Sequence, residues 1–408
     1  MAEENWVGLM TSCHTGKATV QLYKDPSEVI EMNIVPAYLG GTRALATDAV
    51  VGNPIPDRNE VFLPGSENLV EGEIRVSILG SGLPWVTKSQ AAGSVLMEVG
   101  NPERDVFVFD LGAGSLANFS GLRVPVTSLT KVMFSHLHAD HVADYLTLMG
   151  SYAKAGRLDP VEVWGGASDD PARGTATFVD LIQQALAWDH SSMAGYVPTT
   201  GTHATAHEVP YDRTETIYER NGVTITSFPV IHALNGAVGY RIDYGGQSVV
   251  FSGDTKPTMS LVEAAEGCDL LIHETFLPAE TFAELMSFPI EQARIVVNEA
   301  HTPANAAGLV FDMVQPKMAA MWHCHVVDGY IDPVFEGVRT RYSGPATLCQ
   351  DLTVFNVTPG AVTARQAEVD PVQQAVIGSS MTARSLDEPL PQPTWWADAA
   401  IDWQSQLQ

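Results

Sequence analysis

The sequence predicts a mixed α/β fold in which helices cover the faces of β-sheets. Short runs of β-branched and aromatic residues, separated by turns, have the length and composition of strands: 74–79, 93–99, 106–109, 223–229, 238–244, 247–251, 270–272 and 318–322. Two segments between them predict helices: 140–155 follows a polar turn, and 178–186 carries apolar residues three and four positions apart. Strand pairs interrupted by helices are typical of an α/β sandwich.

Composition restricts the class of protein and its partners. The 408 residues include 22 Lys and Arg against 48 Asp and Glu, a net charge of −26, so the chain repels phosphate backbones and nucleic acid is disfavoured as a partner. Hydrophobic residues make up 45% and charged residues 17%, which excludes a disordered chain. No apolar run is long enough to span a membrane, and the acidic start does not resemble a signal peptide. Four scattered cysteines complete the expectation of a cytoplasmic protein.

Changes in the pattern along the chain predict three parts. Residues 1–72 contain turn signals such as Gly40-Gly41 and are expected to form an irregular extension packed on the core. Residues 73–359 carry the strand and helix patterns and form the predicted catalytic domain. Residues 360–408 form a tail in which Pro389, Pro391 and Pro393 precede three tryptophans, interpreted as an arm that packs on the core or on a neighbour, or as a lid.

A cluster of histidines predicts a metal site. Residues 135–141 read Ser-His-Leu-His-Ala-Asp-His and directly follow the apolar run 132–134. Imidazole nitrogens bind borderline divalent metals, and His136 and His138 alternate in a strand-like segment, so that both can face one ion. Asp140 and His141 begin the following helix and can face a second ion.

Three further apolar runs each end in a candidate ligand. His232 follows 228–231, Asp254 follows 249–253 in a Gly-Asp-Thr turn, and His323 follows 318–322. His325 competes with His323 for the last position, but the spacing after the apolar run favours His323.

This ordered set resembles the metallo-β-lactamase superfamily over about residues 74–358. The resemblance implies a four-layer αβ/βα sandwich with a dinuclear metal site at one edge of its two sheets. It implies that His136, His138 and His232 bind the first ion, that Asp140, His141 and His323 bind the second, and that Asp254 bridges them. Asp110, in Phe-Asp-Leu-Gly, matches a family motif whose aspartate orients the ligand loop.

Three more segments resemble the ribonuclease Z and arylsulfatase-like branch: Leu-Gly-Ser-Gly-Leu-Pro at 79–84, His-Glu-Thr-Phe at 273–276 and His-Thr-Pro-Ala-Asn-Ala-Ala at 301–307. His138 stands where flavodiiron oxidoreductases have glutamate. The sequence also departs from ribonuclease Z, because His323 is followed by Cys-His-Val-Val-Asp instead of the serine and arginine that approach RNA, and no basic arm is found.

These observations favour a hydrolase that uses hydroxide generated by two divalent ions to cleave a small-molecule ester, with a carboxylic ester or lactone preferred. Asp140 would orient the hydroxide, His301 would protonate the leaving group, and Glu274 would support it by a hydrogen bond. The alternatives are an arylsulfatase or phosphodiesterase, including tRNA 3′ processing of the ribonuclease Z type, and a non-hydrolytic metal or redox protein. Zinc is the expected metal, iron and manganese fit the same donors, and the terminal extensions suggest a homodimer.

Several side chains keep a structural interpretation beside the functional one. His301 and Glu274 can instead cap the start of a helix. His273 and Cys324 are expected to be buried packing residues. His203 and His207 are expected on a loop at the pocket rim, with metal binding as the lesser alternative, and His190 is a further candidate for the rim.

Overall fold

The structure is a computed structural model that describes residues 7–14, 17–25, 28–34, 61–85, 87–155, 157–376 and 386–407. The first three segments form an antiparallel sheet of strands β1 (Val7–His14), β2 (Lys17–Asp25) and β3 (Glu28–Ile34). The prediction that 1–72 is irregular is therefore wrong for these residues. Turn signals on which that prediction rested, such as Gly40-Gly41, lie outside the described residues.

The remaining strands form two sheets. The eight-stranded sheet contains β4 (Ile74–Gly80), β5 (Ser94–Val99), β6 (Val106–Phe109), β7 (Lys131–Phe134), β8 (Val161–Gly166), β9 (Ala204–Val209), β17 (Thr353–Thr358) and β18 (Ala361–Gln366) in the order β18-β17-β4-β5-β6-β7-β8-β9. The seven-stranded sheet runs in chain order through β10 (Glu215–Arg220), β11 (Val223–Pro229), β12 (Val238–Tyr244), β13 (Gln247–Phe251), β14 (Leu270–Glu274), β15 (Met318–Trp322) and β16 (Ala346–Leu348).

Helices cover the outer faces of these two sheets. They are α1 (Ser115–Gly121), α2 (Ala139–Thr147), α3 (Thr175–Ala185), α4 (Ala187–Met193), α5 (Met259–Ala264), α6 (Ala279–Met286), α7 (Ile290–Glu299), α8 (Ala304–Val314) and α9 (Ile331–Arg339); α10 (Trp395–Ala399) and α11 (Trp403–Gln406) lie in the tail. The predicted helix 140–155 is α2 followed by a π-helical turn, Leu148–Tyr152. No helix in the described part of the chain is long and apolar enough to cross a membrane.

Three buried clusters give the fold its four layers. The inner faces of the two sheets share one cluster, in which Phe109 meets Phe251 and Tyr240. A second cluster joins the eight-stranded sheet to its helices through Phe119 and Tyr145, and a third joins the seven-stranded sheet to α5–α9. The predicted four-layer αβ/βα sandwich is confirmed.

The direction of the strands brings several loops to one edge of the sandwich. Strands β6, β7, β8 and β9 run parallel to one another, as do β13, β14, β15 and β16. Asp110 and the 135–141 loop follow β6 and β7, whereas Asp254 and His323 follow β13 and β15. Because parallel strands end at the same edge of a sheet, the residues after these strands lie beside one another.

Both predicted boundaries of the catalytic domain, at 73 and 359, fall inside one packed unit. Strand β18 pairs along its length with β17, and Pro359-Gly360 is the turn that joins them, with a positive φ of 95° at Gly360. Phe62 bridges Ala367 and donates its backbone N–H to the Gln366 carbonyl. A Pro-Gly pair marks a hairpin turn as readily as a domain end, and only the pairing of strands distinguishes the two.

A buried ion pair fastens the segment before β4 to β18. The Arg365 guanidinium contacts both carboxylate oxygens of Glu67 at 2.6 and 3.1 Å, and also donates to the Asn356 side chain. We expect Arg365→Ala to lower the free energy of unfolding by about 2 kcal/mol, because it removes two charged hydrogen bonds to the largely buried Glu67, although Arg75 still contacts that carboxylate at 3.4 Å. Denaturant unfolding measures this loss.

The matched control is Arg173→Ala, because Arg173 pairs with Asp170 at the surface. We expect it to cost less than about 0.5 kcal/mol. Equal losses for the two variants would contradict a structural role for the Glu67–Arg365 pair.

Candidate functional site

The strand-end loops bring the seven predicted ligands together in two groups. His136, His138, His232 and Asp254 offer ligand atoms that lie within 4.8 Å of one another, and Asp140, His141 and His323 do the same. Asp254 connects the groups: its Oδ2 lies 3.9 Å from the Nε2 atoms of His136 and His232 and 3.4 Å from Nε2 of His141. This is the division into two triads and a bridging carboxylate that the family resemblance implies.

Unusual backbone conformations turn these loops toward the site. Asp110, Ala233 and His323 have positive φ angles of 57°, 30° and 55°, and Gly253 before Asp254 has one of 58°. Side chains other than glycine pay a steric cost in this region, and such strain concentrates where surrounding structure fixes a functional geometry. At His323 the left-handed turn directly after β15 keeps the ring buried beside Asp140, at 3.4 Å.

Hydrogen bonds around the first triad leave three nitrogen lone pairs facing one point. His232 Nδ1 donates to the Ala300 carbonyl, so its Nε2 carries a lone pair. His136 Nδ1 donates to Ser135 Oγ, whose own proton is directed at Asp110, so Nε2 of His136 also carries a lone pair. Both Nε2 atoms approach Nδ1 of His138, at 2.9 and 3.1 Å.

One proton on His138 cannot satisfy both neighbours, whereas a metal ion can accept all three lone pairs. Tetrahedral bonds of about 2.0–2.1 Å separate ligand nitrogens by about 3.3 Å, close to the observed spacings. The residues present therefore fit a divalent ion.

The second triad contains buried polar atoms without partners. His141 Nε2, His323 Nδ1 and Asp254 Oδ1 are fully buried and make no hydrogen bond. An unpaired buried polar group costs about 1–3 kcal/mol, so three at one point require an explanation. A cation held by Asp140, His141, His323 and Asp254 would supply the missing partner.

Asp110 holds the ligand loop in place, as predicted from its motif. Its buried carboxylate accepts hydrogen bonds from Ser135 N and Ser135 Oγ at 2.7 Å and from His141 Nδ1 at 2.8 Å. The last bond directs Nε2 of His141 toward Asp140 and Asp254. Carboxylates behind metal-ligating histidines commonly fix the tautomer and orientation of the ring in this way.

The electrostatics of the site also favour bound cations. Burial lowers the pKa of His136, and it lowers the pKa of His232 to about 4, so both rings stay neutral and keep their lone pairs. Burial opposes ionisation of Asp254, but the charges of His323 and His141 hold its pKa well below the usual value. The pKa of His141 is raised well above normal: burial works against the rise, and the Asp254 and Asp110 carboxylates outweigh it. The carboxylates thus stabilise positive charge within the site.

His301 and Glu274 meet beside the metal cluster. His301 Nδ1 lies 2.9 Å from Glu274 Oε2 and 3.8 Å from Asp254 Oδ2. Glu274 also accepts the backbone N–H groups of Thr255 and Thr302, and burial raises its pKa. Neither side chain caps a helix, since α8 begins after Pro303 without a side-chain cap. The ring of His301 stacks on Phe276 with centroids 4.3 Å apart, a contact that no spacing pattern in the chain indicates.

Other predicted residues lie outside the cluster. His325 contacts Tyr330 and is absent from both ligand groups, while His273 and Cys324 are buried, as expected for packing residues. The loop prediction is wrong for His207, which lies in β9 and stacks on Trp164 at 4.7 Å, because Ala204–Val209 pairs in parallel with β8.

His190 and His203 line a separate cavity of about 410 Å³ with Asp387 and Leu390 of the tail, and none of the seven predicted ligands lines it. Trp395, Trp396 and Trp403 of the tail are 63%, 47% and 60% exposed, so they do not pack in the core.

Comparisons with known proteins agree with this geometry. The sequence profile of the family described as "Beta-lactamase superfamily domain" matches residues 108–324. Two solved structures share the fold: a metallo-beta-lactamase fold protein of Bacillus subtilis (21% identity, TM-score 0.52, 70% of this chain and 100% of that one) and the short form of human tRNase Z (17%, 0.51, 69% and 98%). The chain belongs to the metallo-β-lactamase superfamily, whose members of this type are metal-dependent hydrolases.

Curated relatives identify the branch. A ribonuclease Z of Mycobacterium marinum is 32% identical over 209 residues, which cover 49% of this chain and 70% of the relative. A ribonuclease Z of Mycolicibacterium gilvum is 28% identical over 300 residues, covering 70% and 97%. The predicted branch is confirmed on its ribonuclease Z side.

The same relatives correct two expectations about the substrate. They are named as ribonucleases, so the prediction that nucleic acid is disfavoured as a partner is wrong, and a small-molecule carboxylic ester or lactone finds no support. The error came from treating net charge as a property of the site. A charge of −26 describes the whole surface, whereas the substrate meets the few residues around the metal cluster.

The role of Asp110 leads to a test of metal affinity. We expect Asp110→Asn to weaken metal binding about 10- to 100-fold, because the amide cannot accept all three of the hydrogen bonds that orient Ser135 and His141. Competition with a chromogenic chelator measures the affinity. Asp144→Asn is the control, since Asp144 accepts the Leu116 N–H away from the cluster. Unchanged affinity in Asp110→Asn would contradict the orienting role.

Proposed function

We propose that this protein is a metal-dependent phosphodiesterase of the ribonuclease Z type that cleaves RNA, with the 3′ end of precursor tRNA as the natural substrate class. The observation that carries the proposal is the similarity to ribonuclease Z from two mycobacteria, at 32% and 28% identity. The assembly of both ligand triads at one sheet edge supports it, because a phosphodiester needs a site that offsets negative charge.

In this proposal the seven clustered side chains hold two divalent ions: His136, His138 and His232 the first, Asp140, His141 and His323 the second, and Asp254 both. When bound, the ions supply Lewis acidity, which lowers the pKa of water toward neutrality and offsets charge on the phosphoryl oxygens. Zinc suits the imidazole-rich donors, and iron and manganese are accommodated by the same nitrogen and oxygen set.

The remaining steps belong to side chains of this chain. Asp140, buried beside His141 and His323, orients the attacking water by accepting its hydrogen bond. His301 carries a proton to the leaving oxygen on Nε2, because its Nδ1 is engaged by Glu274. Glu274 and the stacked ring of Phe276 hold His301 in one orientation, which reduces the entropy lost on reaching the reactive geometry.

The substrate class is tested by comparing two reactions of the metal-loaded protein. We expect cleavage of a precursor tRNA with a 3′ trailer, no turnover of a chromogenic carboxylic ester, and complete loss of RNA cleavage with chelator. His136→Ala should lose more than about 100-fold in rate together with bound metal, since losing a ligand costs more than losing an outer partner. His203→Ala, an exposed histidine outside the cluster, is the control. Ester hydrolysis without RNA cleavage would overturn the proposal.

The pairing of Glu274 with His301 gives a second prediction. We expect Glu274→Gln to lower kcat by about 10- to 100-fold with KM and metal content unchanged, because the ring loses its orienting carboxylate. Adding His301→Ala to this variant should produce little further loss, since both changes remove the same proton-transfer function. Steady-state rates of the two single variants and the double variant complete the cycle. Fully additive losses would show that the two residues act independently.

A further inference from the structure

A chain of aromatic contacts leads from the catalytic cluster to the surface. Phe276, which stacks on His301, contacts Phe282 of α6 with ring centroids 5.2 Å apart. Trp85 and Phe288 both pack against Phe282, at 5.7 and 5.6 Å. Phe276 and Phe282 are fully buried, whereas Trp85 is 40% and Phe288 37% exposed. We call Trp85, Phe282 and Phe288 the aromatic platform.

The loop that carries Trp85 is fastened to the segment that follows His323. Gln90 donates from Nε2 to the Cys324 carbonyl at 3.0 Å and accepts the Val326 N–H through Oε1 at 3.0 Å. The Cys324 N–H donates to the Ser81 carbonyl, and Leu83 is buried in the same cluster as Phe276 and Phe282. The backbone on both sides of Trp85 is therefore attached to the segment that follows His323, and the indole packs on Phe282.

Packing alone does not explain the two outer rings. Single exposed hydrophobic residues are normal, but here two large rings share one buried ring that continues to His301. Lys88, three residues after Trp85, is also exposed. Aromatic faces interleaved with a cation are the elements that bind unpaired nucleotides, because every base has a face that stacks and every linkage carries a negative charge.

We propose that the aromatic platform is a stacking subsite for an unpaired nucleobase of the RNA, close to the scissile phosphate. The inference rests on the proposed function, since it assumes a nucleic-acid substrate in the metal site. Stacking at this subsite accounts for the recognition of RNA by a chain that has a net charge of −26 and lacks the serine and arginine expected after His323. Stacking supplies affinity that does not depend on many phosphate contacts. The subsite selects RNA whose trailer is single-stranded.

The test measures cleavage of precursor RNA with an unpaired 3′ trailer. We expect Trp85→Ala to raise KM about 10-fold with kcat nearly unchanged, which is the size typical of losing one base stack. Trp85→Phe should restore most of the affinity, because it keeps a stacking face. Bound metal and hydrolysis of bis(4-nitrophenyl) phosphate, which has no nucleobase, should be unchanged in both variants. Trp188→Ala removes a Trp that is 82% exposed on α4 and is the matched control.

A series of RNAs with one abasic nucleotide at each unpaired position identifies the stacked base. We expect one abasic position to raise KM for the wild type and to abolish the difference between wild type and Trp85→Ala. An unchanged KM in Trp85→Ala, or an equal loss on every abasic RNA, would overturn the stacking subsite while leaving the proposed function intact. A loss on bis(4-nitrophenyl) phosphate would show that Trp85 acts through the structure of the site and would also overturn it. Failure of the wild type to cleave any RNA would overturn both proposals.

Discussion

Burial of negative charge at one sheet edge is the constraint on which this structure depends. Asp110, Asp140 and Asp254 are all buried there, and within the described part of the chain none of them forms an ion pair with a lysine or an arginine. Their partners are histidine rings, several of which must stay neutral to offer lone pairs. Uncompensated buried carboxylates are costly, so bound cations would stabilise the folded arrangement. The strained strand ends and the unpartnered atoms of His141 and His323 have the same origin.

The fold makes this concentration of charge achievable. Parallel strands on each side of the central core end at the same edge, and most residues of the strands that precede the ligands are buried. The packing of the sandwich therefore compensates for the backbone strain in the loops, which no single loop would maintain on its own. Behind the loops, Asp110 and Glu274 accept hydrogen bonds from backbone N–H groups, which fixes the positions of the two carboxylates. These carboxylates in turn orient the rings of His141 and His301.

Sequence reasoning identified the parts of this site that are local in the chain. Each ligand stands directly after an apolar run, so strand composition and metal chemistry together were enough to predict the seven residues that the structure brings into two groups. The structure separates His323 from His325, because the left-handed turn at His323 keeps its ring beside Asp140, whereas His325 contacts Tyr330. The ends of the packed unit could not be recognised from the sequence, because a Pro-Gly pair such as 359–360 occurs both within hairpins and at domain boundaries. His207 was predicted to lie in a loop. It lies in β9, and the pairing of β9 with β8 is a long-range contact that the local sequence does not show.

The substrate is harder to establish from sequence alone than the residues of the metal site are. Net charge pointed away from nucleic acid, whereas the relatives that this chain matches are named as ribonucleases. Phe276, Phe282 and Trp85 come from three separate segments, and their alignment beside His301 exists only in the folded chain. Contacts of this kind leave no spacing signal in the sequence.

The most direct test of the dinuclear site is a crystal structure of the metal-loaded protein with anomalous data collected on both sides of the metal absorption edge. We expect two anomalous peaks about 3.5–4 Å apart, one bounded by His136, His138 and His232, the other by Asp140, His141 and His323, with Asp254 contacting both. A single peak, or peaks elsewhere in the molecule, would contradict the assignment of these seven side chains as the ligands of a two-metal hydrolase.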